Sequence, residues 1–162
     1  MVYNKYKIFS KVQNDEKEIF CINYNDKEER YYPFIKRCYN NGYTQIIITS
    51  EIMIKIIEKF VFDKKYIVSE LEFMEDDDFN KDIKLQIVNN RNIYREHNFI
   101  IKELEFLAEK TSIEIKKIKF KKMEGNVPID FFIQSNGLLG INREGFDYVS
   151  PELKELIKKE VS

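Results

Sequence analysis

The sequence predicts an α+β domain, and three observations predict it. Short stretches alternate apolar and polar residues with the period of a half-buried strand. Between them lie longer stretches whose apolar residues recur at helical spacing. Turn residues such as Asn14-Asp15, Gly125-Asn126 and Ser135-Asn136-Gly137 punctuate the alternation. The expected architecture is one domain over residues 1–162, a mostly antiparallel sheet of about six or seven strands packed against about three or four helices. With 43% hydrophobic residues, 13 Phe and 10 Tyr among them, a chain of 162 residues has ample material for one core.

Lys5 to Val12 and Glu18 to Tyr24 alternate on either side of the polar turn Gln13-Asn14-Asp15-Glu16, which reads as a β-hairpin. Asp26 and Glu29 have the spacing of a capping box, and Tyr31, Phe34, Ile35 and Cys38 follow as a helical core stripe. Pro33 moves the expected start of that helix towards itself, and Asn40-Asn41-Gly42 ends it. Thr44 to Thr49, with Ile46-Ile47-Ile48 at its centre, reads as a fully buried strand, and Ser50 as the N-cap of the next helix. Met53, Ile56, Ile57, Phe60 and Val61 form that helix's apolar stripe. Tyr66 to Met74 alternates, and so do Ile83, Leu85 and Ile87, which predicts a second hairpin around the acidic loop Glu75-Asp76-Asp77-Asp78. Ile93, His97, Ile100, Ile101, Leu104 and Leu107 share a helical face. Residues 5–49 and 65–120 thus echo one another as two ββαβ units.

The densest β-pattern lies between Ser112 and Asn142. Ile113 and Ile115 occupy one phase and Ile118 and Phe120 the other, so a bulge is expected near Lys116-Lys117. Gly125-Asn126 turns the chain into a strand that places Phe131 and Ile133 on one face and Phe132 on the other. Ser135-Asn136-Gly137 turns it again into Leu138 to Ile141. Both strands are apolar enough to be central. Ser150-Pro151-Glu152 has the form of a helix start, with Leu153, Leu156, Ile157 and Val161 as the apolar face.

Composition narrows the function. The 27 basic residues nearly balance the 28 acidic ones, leaving a net charge of −1, so attraction to nucleic acid would have to come from a local patch. Cys21 and Cys38 lack the spacing of a zinc or redox motif and read as buried reduced thiols. No secretory segment is expected after Met1 and no apolar run approaches a membrane span, which makes the cytoplasm the expected location and excludes a membrane partner. The excess of Lys, Ile, Asn, Phe and Tyr over Ala, Gly, Pro and Trp suits coding in an AT-rich bacterium, phage or plasmid.

No P-loop, dinucleotide fingerprint, nucleophile elbow, metalloprotease helix or zinc motif is present, and no cofactor is implied. The first expectation is therefore a non-enzymatic protein-interaction module, such as an inhibitor, immunity or regulatory protein. Its many Tyr and Phe would serve as anchors for another protein or for a second copy. The second is a nucleic-acid binder using Lys116, Lys117, Lys119, Lys121 and Lys122, helped by Arg91 and Arg95. The third is an enzyme. Glu114-Ile115-Lys116 is half of the metal-dependent nuclease pattern, Asp130 precedes Phe131 on an apolar strand, and His97 is the single histidine. Asp76, Asp77 and Asp78 are the candidate ligands for a hard cation.

Overall fold

In the computed structural model, which describes residues 2–75 and 77–161, the alternating stretches assemble into one seven-stranded antiparallel sheet. Its strands are β1 Asn4–Gln13, β2 Glu16–Asn23, β3 Thr44–Gln45, β4 Ile67–Phe73, β5 Ile115–Glu124, β6 Val127–Gln134 and β7 Leu138–Ile141. Their order is β2-β1-β7-β6-β5-β4, with β3 added beside β1. Among the described residues there are five α-helices, more than expected: α1 Tyr31–Asn40, α2 Ser50–Ile57, α3 Asp78–Ile87, α4 His97–Lys110 and α5 Phe146–Val161. A π-helical turn, Glu58–Asp63, extends α2.

The pleat divides the sheet's residues between two faces. One face carries Ile8, Ile118, Phe120, Phe131, Ile133, Leu139 and Ile141. It packs against Met53 and Ile56 of α2, Ile100 and Leu104 of α4, and Leu153 and Ile157 of α5, in one buried cluster. On the other face, Phe9 of β1 joins Phe34 and Cys38 of α1 in a second, smaller cluster. Helix α1 therefore covers the β1–β2 end of that face.

Local chemistry accounts for most element ends. Asn14 and Asp15 both adopt positive φ, 51° and 64°, as the two-residue turn between β1 and β2 requires. Lys116 is the extra residue of the expected bulge: Glu72 pairs with Lys117, yet Phe73 pairs with Ile115. Gly42, at φ 89°, closes α1. The Tyr43 amide donates to the Cys38 carbonyl and the Gly42 amide to the Tyr39 carbonyl, the paired bonds of a Schellman stop.

Several expectations are corrected. Residues 78–87 are a helix, because the Asp77 carboxylate accepts from the Asn80 amide at 2.8 Å and caps it. Ile83 and Ile87 are buried one helical turn apart, while Leu85 is 80% exposed; in a strand all three would share a face. The second hairpin, and with it the ββαβ echo, is therefore absent. Thr44 to Thr49 is only half buried: β3 ends at Gln45, and Ile47 is 72% exposed. Thr49, not Ser50, caps α2, accepting from the Ile52 amide at 3.3 Å. The Ser50 hydroxyl instead accepts from the Ile115 amide at 2.9 Å and ties α2 to the start of β5. The Asp26–Glu29 stretch starts no helix; α1 begins at Tyr31. Helix α5 starts at Phe146, so Pro151 lies inside it, and Ser150 is buried against the sheet. Tyr6 and Phe146 rings at 4.6 Å anchor that early start.

Candidate interaction surface

Two surfaces stand out beyond the cores. The first is built by α1, β1 and β3. Phe34 and Cys38 point from α1 into the sheet, one helical turn apart, so Tyr32 and Tyr39 must face away from it. They are 76% and 72% exposed, and they stand about 10 Å apart along the helix. The Schellman stop then returns the chain so that Tyr43 lies 5.9 Å from Phe9. Between these rings runs a groove of about 390 Å³ with buried Phe9 at its floor and Ile35 in its wall. Thr44 and Gln45 form its lip. Its charge is one-sided. Lys36 lines it, the Lys11 ammonium sits 4.7 Å over the Tyr43 ring, and among the described residues no carboxylate lines it. Arg37 is engaged elsewhere, by Glu29 at 2.8 Å, an exposed pair that holds the Glu29 carboxyl below its usual range through hydrogen bonding.

The groove's lip continues into an open backbone edge. The Ile46 amide donates to the Ile8 carbonyl, and the Ile48 amide donates to the Ser135 carbonyl at 2.8 Å. In an extended segment, the intervening Gln45 and Ile47 then present their N–H and C=O groups outward. Among the described residues strand β3 pairs with β1 alone, and no hydrogen bond reaches the Ile47 backbone.

The second surface is the sheet face left uncovered beyond α1. Lys117, Lys119 and Lys121 lie on it, opposite Gln134, Phe132 and Asp130 of β6. Glu70 and Glu72 of β4 pair with Lys119 and Lys117 from the other side. The Lys117 ammonium lies 4.6 Å from the Phe132 ring and that of Lys119 lies 5.1 Å from the Tyr3 ring. Tyr3 donates to the Asp130 carboxylate at 2.5 Å; burial and this acceptor push the Tyr3 phenol up. Three of the five lysines of this run thus share a face, interleaved with carboxylates. Lys122 belongs to the opposite face, 2.9 Å from Glu124, and Lys116 stands out at the bulge. Arg91 and Arg95 follow the Asn89 amide, which donates to Val68, so they enter along the outer edge of β4, one strand beyond the lysines.

The candidate catalytic residues do not converge. Glu114 lines a cavity of about 400 Å³ with Glu51, Glu105 and Glu109. Asp130 pairs with Lys121, five positions along β5 from Lys116 and hence about 17 Å from it. His97 stacks on Phe62 at 3.8 Å, at the opposite end of α4 from Glu105 and Glu109. Asp77 is spent on the α3 cap, Asp78 projects into solvent 3.9 Å from Lys81, and Asp76 lies outside the described residues. Among the described residues no group of three or more His, Cys, Asp and Glu side chains is gathered as a metal site. Cys21 and Cys38 are free, and burial pushes both thiols up.

Helical spacing places Tyr31, which is 40% exposed, in a core stripe and passes over Tyr39, Tyr43 and the Gln45–Ile47 edge. The position of Tyr32 and Tyr39, opposite Phe34 and Cys38 on the helix, is the signal for the outward rings. No helix among the described residues is long and apolar enough to cross a membrane. Compared with family models, with curated proteins and with solved structures, the chain matches none.

Proposed function

We propose that this chain is a protein-interaction module that grips another protein through the groove between α1 and β3. The observation that carries this reading is the pair Tyr32 and Tyr39, more than two-thirds exposed above a groove floored by Phe9. Tyrosines held on a rigid helix offer large contact area at small entropic cost, which is why they serve as interface anchors. An inhibitor, immunity or regulatory protein is the class this supports. The lysine- and isoleucine-rich composition and the free thiols support the cytoplasm of an AT-rich bacterium, or of a phage or plasmid host, as its setting.

The test is capture from nuclease-treated lysate of such a bacterium by the wild-type chain and by a Tyr32→Ala/Tyr39→Ala variant. A stoichiometric protein partner is expected to bind the wild type and to lose about 30-fold in affinity for each tyrosine removed. Because both rings are exposed, thermal unfolding is expected to stay within about 0.5 kcal/mol of wild type. Retention of the partner by the double variant would overturn the reading.

A second reading, nucleic-acid binding on the open sheet face, is favoured by the shared orientation of Lys117, Lys119 and Lys121. It expects binding that weakens steeply with salt and is abolished by Lys117→Glu/Lys119→Glu, measured by fluorescence anisotropy on a labelled oligonucleotide.

A further inference from the structure

We infer that the Gln45–Ile47 edge is a docking site for an extended, acidic segment of a partner protein, which adds to the sheet as a strand and seats a side chain in the adjoining tyrosine groove. This rests on the interaction reading above and names the partner's chemistry. Three observations converge on it. The outward N–H and C=O groups of Gln45 and Ile47 form the hydrogen-bonding pattern that an incoming strand completes. Ile47 is 72% exposed between two buried isoleucines, an apolar side chain in place to pack against such a strand. Gln45 belongs to both the edge and the groove, so backbone pairing and side-chain capture are available to one continuous segment. The acidic character follows from the groove's own charge: Lys36 lines it, Lys11 lies over Tyr43, and among the described residues no carboxylate lines it, in a chain whose net charge is −1.

The experiment selects binders to the full chain from a displayed library of random linear peptides. The selected peptides are then synthesised with three controls: N-methylation at odd residues, N-methylation at even residues, and amides in place of the carboxylates. Alternating apolar and acidic residues are expected to be enriched. One N-methylation register and the amide control should each weaken binding about tenfold, the loss expected for removed hydrogen bonds and charge pairs. Amide hydrogen exchange at Gln45 and Ile47 should slow in the complex.

If both N-methylated registers bind like the parent, side chains alone are held; the groove reading then stands and strand addition falls. Failure to enrich any binder, or binders without acidic residues, also overturns the proposal. If the parent peptide binds Tyr39→Ala unchanged, the groove reading falls, and the proposal with it. Sedimentation of the chain alone is expected to show a monomer. A dimer broken by Ile47→Lys would assign the edge to a second copy and overturn the acidic partner.

Discussion

Phe131→Ala is expected to destabilise the fold by about 4 kcal/mol, near the upper end of what truncating one buried side chain costs. Phe131 sits on central strand β6, stacked on Phe120 at 4.8 Å, edge-on to Phe60 at 5.0 Å and to Tyr66 at 5.7 Å. Its removal forfeits the transfer energy of a buried ring and leaves a cavity that three neighbouring rings cannot close, since each is fixed by its own packing. Urea denaturation measures the loss, and Phe131→Leu, which refills most of the volume, should recover more than half of it. A second readout comes from Tyr66. Burial pushes its phenol up to about 12, with nearby carboxylates Glu124 and Glu152 acting in the same direction. A raised phenol means the fold favours the neutral form. The associated stability is complete below pH 10 and is lost as pH rises towards 12. Phe131 packs edge-on against Tyr66, so its removal lessens the burial of that ring, and absorbance titration of Phe131→Ala should show the Tyr66 ionisation moving back towards 10.

Gly137→Ala is expected to cost about 3 kcal/mol, whereas Gly125→Ala should cost about 1 kcal/mol. Both glycines have positive φ, 84° and 61°, and both turn one hairpin into the next strand. A methyl group at Gly125 would meet nothing within 4 Å, so its cost is the backbone conformation alone. A methyl at Gly137 would lie 2.6 Å from the Ile46 carbonyl oxygen, a backbone atom that cannot rotate away. The collision falls where the Gly137 carbonyl accepts from the Ile8 amide at 2.9 Å and the Ile46 amide reaches the Ile8 carbonyl. Faster amide exchange at Ile8, Ile46 and Ile48 in Gly137→Ala, but not in Gly125→Ala, would separate collision from backbone strain. Equal destabilisation of the two variants would refute the close approach.

What can be read from the sequence is what neighbouring residues decide. The Asn14-Asp15 turn, the Lys116 bulge, the Gly42 helix stop and the β5–β6–β7 meander each follow from a few adjacent residues, and each forms as expected. Residues 78–87 mislead because Ile83 and Ile87 fit both a strand and a helix face; the deciding features are the Asp77 cap and the exposure of Leu85. The Ile46–Ile48 run is apolar enough for a buried strand, but its burial depends on distant turns, since Ser135 and Gly137 shield one side only. The lysine strand illustrates the same limit. Its alternation is visible, but the carboxylates of Glu70 and Glu72 beside it come from a strand separated by two helices, and no local pattern announces that register.

The position of β7 between β1 and β6 governs the order in which the chain can fold. Asn4 pairs with Ile141, and Lys7 with Leu138, so the first strand of the sheet is held by its last. During synthesis the β1–β2 hairpin can form early, yet the edge of β1 from Asn4 to Lys7 stays open until residues 138–141 have left the ribosome. Contacts of such sequence separation are slow to close, and an apolar strand waiting with one free edge is open to wrong pairing. Refolding should accordingly be slow for a chain of this size, and occupation of the β7 place by another strand is the misfolding route this topology exposes.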